Sequence, residues 1–241
     1  MLIWLACLPA FAAPIAPGVD ARYEEHAGTR FRVVTVDLRV ATLDLFGQGT
    51  RGKPRTIGAL DQTLDRQNLR RIAATNAGIY RPGFLPGGLH IEAGKTLGEL
   101  NLREGEGNFH LMPNGVFYVG EQGAKVVDSK AFAATDVRIA TQSGPALLLE
   151  GAVHPAFMPK SANKLPRNGV GVSDAHTVHL VFSEGSVRFH DFATLFRDVL
   201  GCTDALYLDG VISGLWAEGF PEDQQRQKYA GFLVVSTPTS E

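Results

Sequence analysis

Phe192-Ala193-Thr194-Leu195-Phe196-Arg197-Asp198-Val199-Leu200-Gly201, followed by Cys202-Thr203-Asp204-Ala205-Leu206-Tyr207-Leu208-Asp209-Gly210, sets two kinds of periodicity side by side. In the first half, Phe192, Leu195, Phe196, Val199 and Leu200 fall at i, i+3, i+4, i+7 and i+8. That is one face of a helix, preceded by His190-Asp191 and closed by Gly201. In the second half, Ala205-Leu206-Tyr207-Leu208 is an unbroken apolar run too short for a helix, ended by the turn pair Asp209-Gly210. A helix packed beside a buried strand is thus predicted here.

Further out, the pattern is mostly strand. Phe31 to Asp37 and Val40 to Phe46 are rich in β-branched and aromatic residues, as are Val116 to Val119, Val137 to Thr141, Ala146 to Leu149, Gly169 to Ser173, Thr177 to Phe182 and Gly231 to Val235. A second helix is expected from Thr56, which caps a face of Ile57, Leu60 and Leu64 and runs to Arg70-Arg71. Arg71 to Thr75 then reads as a buried strand with a sharp exit at Asn76-Ala77-Gly78. No linker or repeat divides the 241 residues. The expectation is a single α+β domain with a mixed, largely antiparallel β-sheet and few helices.

Composition narrows the function classes. With 44% hydrophobic and 20% charged residues the chain folds, and 27 Gly with 13 Pro supply many turns. Twenty-three basic residues against 25 acidic ones leave a net charge of -2, without the basic surplus of a nucleic-acid binder. No nucleic-acid partner and no transmembrane segment are expected. Met1 to Ala13 is apolar and carries Ala10-Phe11-Ala12, the small-x-small pattern of a cleavage site. It reads as a signal peptide over 1–13, leaving a domain over 14–241 and a periplasmic or secreted location. Removal of Cys7 with it leaves Cys202 alone, a small buried hydrophobe.

Several motifs fail on spacing. Gly94-Lys95-Thr96 lacks the phosphate-loop glycine five positions upstream, where Leu89 stands. His176 and His179 lie three apart on a strand, on opposite faces, so they are not a metal pair. Ser143 in Thr141-Gln142-Ser143-Gly144-Pro145 lacks the first glycine and the following helix of a nucleophile elbow. No metal site and no cofactor are expected. Asp209 admits two readings: an Asx-turn residue, or a carboxylate presented where a buried strand emerges. Asn76 holds the same kind of position. Arg167 before Asn168-Gly169 is suited either to gripping phosphate or to pairing with a surface acid.

Five stretches occur in order: Asn76-Ala77-Gly78-Ile79-Tyr80, Pro113-Asn114-Gly115-Val116-Phe117, Thr141 to Pro145, Arg167-Asn168-Gly169-Val170-Gly171, and Leu206-Tyr207-Leu208-Asp209-Gly210. Together they resemble the phosphodiester glycosidase family, from about Val33 to Val235, nearly the whole mature chain. The family's strand-end motif is of Asn-Leu-Asp-Gly-Gly-Gly-Ser-Ser type. Here it is Tyr207-Leu208-Asp209-Gly210-Val211-Ile212-Ser213, keeping the Asp and first Gly, with Ser213 in the place of the serine. The resemblance implies hydrolysis of a sugar-1-phosphodiester at its glycosidic bond, with a sugar-phosphate or glycan as substrate. On that basis Asp209 is the candidate nucleophile or base, Arg167 the phosphate clamp and Asn76 a third catalytic group. Gln142, Ser143, Asn168, Gly210 and Ser213 are candidate substrate contacts. Trp216 suits either a sugar ring or the core, and His90, Glu92 and His154 are second-rank acids. Two alternatives stand beside this: a serine hydrolase using Ser143, and a non-catalytic glycan-binding envelope protein.

Overall fold

The computed structural model describes residues 14–222 and 227–239; the expected signal peptide, with Cys7, lies outside them. Three sheets enclose the core. The first has seven strands in the order Val19–His26, Thr29–Asp37, Thr177–Ser183, Asn168–Asp174, Asp204–Asp209, Ala146–Leu149, Ala152–Val153. The second has five, ordered Gly123–Asp128, Gly115–Gly120, Val137–Ser143, His90–Glu92, Lys95–Gly98. The third has four, ordered Leu215–Ala217, Leu69–Asn76, Phe232–Pro238, Leu43–Phe46. The pairings described within them are antiparallel. The α+β class with few helices is the one observed. Among the described residues no helix is long and apolar enough to cross a membrane.

Period-two alternation assigns the faces of the first sheet. Val34, Val36, Val170, Leu206 and Leu208 point inward to meet Phe117, Ile139, Ile72 and Leu233 of the other two sheets. Phe31, Val33, Ala205 and Tyr207 point the other way and are covered by Phe192, Leu195 and Phe196. The two faces of Ala205 to Leu208 therefore serve two cores, which explains why the run shows no polar alternation.

Three local expectations are corrected. The covering helix is α-helical only over Phe189–Thr194 and widens to a π-helical turn over Leu195–Val199, with Leu200 N donating to Leu195 O at 3.1 Å. The wider turn seats Phe196 on Gly171, where a β-carbon would lie 2.5 Å from Phe196 Cδ1 and 2.9 Å from Cys202 Sγ. The first helix ends at Asp65, since Leu69 onward is already strand. Val40 to Thr42 is a turn in which Val40 N and Ala41 N both donate to Asp37 O. The strand Val19–His26 has no counterpart among the sequence expectations: it is an edge strand with Asp20, Arg22 and Glu24 along it.

Gly171→Ala should cost about 1–3 kcal/mol of stability as an overpacked contact, read as a lower urea midpoint at unchanged m-value. A wild-type midpoint would show that the helix does not bear on this strand.

Candidate active site

The three sheets bring their polar strand ends together. Asn168 and Asp209 are cross-strand partners in the first sheet. The Asn168 carboxamide Nδ2 reaches the third sheet, lying 2.7 Å from Thr75 Oγ1, 2.9 Å from Asn76 Oδ1 and 3.0 Å from Asn76 O. Asn76 Oδ1 also accepts from Gly214 N at 3.0 Å, and Thr75 Oγ1 donates to Gly214 O at 2.7 Å. From the second sheet, Ser143 Oγ donates to Leu208 O at 2.9 Å and accepts from Ile79 N at 3.3 Å. Asn76, Ser143, Asn168 and Asp209, far apart in sequence, thus meet at one junction. Asn76 Nδ2 and Asn168 Oδ1 are buried there without a hydrogen-bond partner in the described protein.

Above this junction opens a cavity of about 520 Å³. Its walls include Asp209, Gly210, Tyr207, Tyr80, Arg81 and Asn108. Gly210 N donates to Asp209 Oδ1 at 2.7 Å, so the Asx-turn is present. Burial nevertheless raises the carboxyl from 3.8 to about 6, with the Gly210 hydrogen bond opposing the shift. A carboxylate partly stripped of water, at a strand end and beside a cavity, is placed for proton transfer or attack near neutral pH. Gly210 is bare for a steric reason: a β-carbon there would lie 2.7 Å from the Tyr207 hydroxyl.

Arg167 stands elsewhere. It is 0% exposed and is absent from the cavity wall. Its Nε donates to Val187 O at 3.0 Å and its Nη2 to Asn163 Oδ1 at 3.1 Å. The guanidinium carbon lies 3.5 Å from the Phe189 ring centroid and 5.5 Å from that of Tyr207. Burial lowers its pKa and the Tyr207 hydroxyl opposes that shift. Burial likewise pushes the Tyr207 phenol up to about 12, opposed by Arg167. From beneath Tyr207, Arg167 is not in position for the two-pronged grip on phosphate expected of it.

The other expected contacts hold the walls together. Gln142 Oε1 accepts from Leu89 N at 3.0 Å and Asn101 N at 2.9 Å, while its Nε2 donates to Asn101 O at 2.7 Å. Ser213 Oγ donates to Gly210 O at 2.5 Å, closing the turn after Asp209. Both partners of the Ser143 hydroxyl are backbone groups, and among the described residues no base is hydrogen-bonded to it. Trp216 is core, edge-to-face with Tyr229 at 5.6 Å.

His90 Nε2 meets Glu92 Oε1 at 2.6 Å, both buried, and Thr50 Oγ1 donates to Glu92 Oε2 at 3.0 Å. Burial acts to raise Glu92, but His90, Gly49 N–H and Thr50 hold it below the usual carboxylate value. His154 stacks on Phe157 at 4.7 Å. None of these three lines the cavity. Among the described residues no group of three or more His, Cys, Asp or Glu is placed to hold a metal ion.

Sequence reasoning passed over Tyr207 as a site residue because its ring packs in the core, yet the residue also lines the cavity. Arg81 and Asn108 were missed because both sit in turn-rich sequence without periodicity.

Residues 70–235 match the model of the phosphodiester glycosidase family. Over 203 residues the chain is 34% identical to an uncharacterised Escherichia coli protein, YigE, covering 83% of this chain and 80% of that one. Among solved structures, the zebrafish N-acetylglucosamine-1-phosphodiester α-N-acetylglucosaminidase catalytic domain, auto-inhibited by its pro-peptide, superposes with a TM-score of 0.62 at 14% identity. The match covers 92% of this chain and 84% of that one. A putative exported protein from Burkholderia pseudomallei gives a TM-score of 0.52 at 13% identity, over 86% and 74% of the two chains.

Since Asp209 holds its proton more tightly folded than unfolded, it costs stability as pH rises from the ordinary 3.8 through about 6. Asp209→Asn keeps an acceptor for Gly210 N and removes that cost. The variant should melt no lower than wild type at pH 7, with any advantage gone below about pH 4. Thermal melts at the two pH values check this. A variant destabilised equally at both would mean the carboxylate is not the strained group.

Proposed function

This chain belongs to the phosphodiester glycosidase family, and on that premise we propose that it is an exported hydrolase cleaving the glycosidic bond of a sugar-1-phosphodiester. The observation that carries the proposal is Asp209, a carboxyl raised to about 6 by burial at the wall of the cavity. The sugar occupies that cavity with its anomeric carbon at Asp209. As base, the carboxylate takes a proton from water while the water oxygen bonds to the anomeric carbon. As nucleophile, it bonds to that carbon itself, and water later releases the sugar. In either course the bond from anomeric carbon to phosphate oxygen breaks, and its electron pair leaves with the phosphomonoester. Phosphate is a good leaving group, so the site has less need of a strong acid than other glycosidases have.

Tyr207 keeps its proton throughout the physiological range and donates to the departing oxygen. Arg167 strengthens that donor from beneath. Asn76 and Asn168 hold the strand ends in register. Their unpartnered Nδ2 and Oδ1 are further groups available to a sugar hydroxyl or a water. Export rests on the apolar Met1 to Ala13 with Ala10-Phe11-Ala12.

With N-acetylglucosamine-1-phosphodiester as substrate and reducing-sugar release as readout, Asp209→Asn should lose at least about a hundredfold in turnover. The wild-type kcat/KM should rise with pH through about 6, the deprotonation of Asp209. Full activity in a folded Asp209→Asn variant would take the carboxylate out of the reaction. Substrate binding by the wild type without any sugar release would favour the glycan-binding alternative.

Fractionation of the tagged full-length chain should recover a form shortened by roughly a dozen residues outside the cytoplasm. Intact Met1 in the cytoplasm would contradict export.

A further inference from the structure

We propose that Arg81 is the residue that takes the phosphoryl group, and that the cleft beyond it receives the second ester arm, a sugar or polyol. This inference rests on the hydrolase reading above and adds to it where the phosphate and aglycone lie.

The charge on the cavity wall decides the first part. Arg81 is the cation among the wall's Lys and Arg residues; the other charged or titratable side chains there are Glu106, His110, Asp209 and the two tyrosines. A phosphodiester entering beside Asp209 brings an unavoidable negative charge, and Asp209 adds another. Arg167 does not reach it: the side chain is fully buried under Tyr207, Nε and Nη2 are bonded, and the unpartnered Nη1 is buried as well and stays off the cavity wall. Arg81 is exposed, and among the described residues its side chain is engaged through Nε, which donates to Pro86 O at 3.1 Å. Both Nη groups remain for a bidentate contact, and among the described residues no carboxylate pairs with it.

The platform that carries Arg81 is fixed before any ligand arrives. Tyr80–Arg81 pairs with Leu85–Pro86 as a two-stranded hairpin, Arg81 opposite Leu85. At its turn, Phe84 O accepts from Gln48 Nε2 at 2.5 Å and Arg55 Nη1 at 3.0 Å. At its base, Gly87 N donates to Ile79 O at 3.1 Å, and Tyr80 OH donates to Lys228 O at 3.0 Å. A hairpin this short gains little from its own strand pairing, so these four bonds set its position. Little ordering cost is then left to phosphate binding.

The second part follows from what adjoins Arg81. A cleft of about 370 Å³ shares Arg81, Gly87 and Asn101 with the Asp209 cavity, so the two are neighbours across the arginine. Its floor is bare backbone for steric reasons: a β-carbon on Gly98 would lie 2.6 Å from Gly88 O, and one on Gly87 would lie 2.7 Å from Phe109 Cε2. Glu99, Asn101 and Arg103 line it further. Asn101 is held by Gly87 O and Arg103 N, while Glu99 and Arg103 offer a carboxylate and a guanidinium that match the hydroxyls of a sugar or polyol rather than a lipid chain.

Equilibrium titration without turnover tests this, using inorganic phosphate and glycerol phosphate as probes. The wild type should bind both. Arg81→Ala should weaken both at least about tenfold at unchanged melting temperature, and Arg81→Lys should recover only part of the loss. Glu99→Trp, which fills the cleft, should weaken glycerol phosphate and leave inorganic phosphate unaffected. Undiminished binding in Arg81→Ala, or no binding of either probe by the wild type, would overturn the assignment. Equal effects of Glu99→Trp on the two probes would overturn the ester-arm cleft. If Arg81-dependent binding is found but no phosphodiester is hydrolysed, the hydrolase reading fails and the anion site stands.

Discussion

The Asn168 carboxamide is the tie on which the site depends. Its Nδ2 is within hydrogen-bonding distance of Thr75 Oγ1, Asn76 Oδ1 and the Asn76 carbonyl, so one buried amide joins the ends of two sheets. A fully buried amide left unbonded costs about 1–3 kcal/mol, which makes the strand ends hold one relative position rather than slide. Ser143 adds the second sheet through Leu208 O, and Asn76 Oδ1 holds Gly214 N, beyond the turn that follows Asp209. Asp209 is cross-strand neighbour to Asn168 and so inherits its position from this junction. Side chains that look like substrate contacts in sequence are therefore chiefly the frame that aims one carboxylate.

The electrostatics of that carboxylate follow from where the cations are not. Asp209 takes part in no ion pair among the described residues, and Gly210 N donates to its Oδ1. Burial then dominates, and its pKa climbs to about 6. Had Arg167 reached into the cavity, it would have held Asp209 down as an ordinary ion-paired acid. Its place under Tyr207, face to face with Phe189 at 3.5 Å, keeps the positive charge near enough to polarise a phenol without quenching the acid.

What the sequence discloses and what it hides divide along a physical line. Strands buried on both faces, such as Ala205 to Leu208 and Thr177 to Phe182, announce themselves because no solvent face dilutes them. Val19–His26 does not, since its outer edge and exposed face are filled with charges. The covering helix shows its apolar stripe but not its π-helical turn. That turn depends on Gly171, a contact some 25 residues away in sequence. At the site, Asn76, Asn168 and Asp209 are legible because strand ends beside turn residues are a local signal. The burial of Arg167 is not legible, because it depends on Phe189 and Val187 arriving from another part of the chain. Arg81 hides for the opposite reason: it lies on strands of two residues, where no period can develop.

The wall around Asp209 departs from the family's strand-end motif while the acid stays in place. Where the family motif continues with glycines, this chain places Val211 and Ile212, and both line the cavity wall. Val211 is 66% exposed, an apolar side chain at the rim where a glycine would leave open backbone. Tyr207 replaces the motif's asparagine, and its hydroxyl occupies the space that forbids a β-carbon at Gly210. Each change adds bulk on the wall around Asp209 while leaving the Asn168 junction untouched. The rim beside Asp209 is therefore narrower and more apolar than glycines would leave it, and Arg81 supplies the positive charge on the same wall.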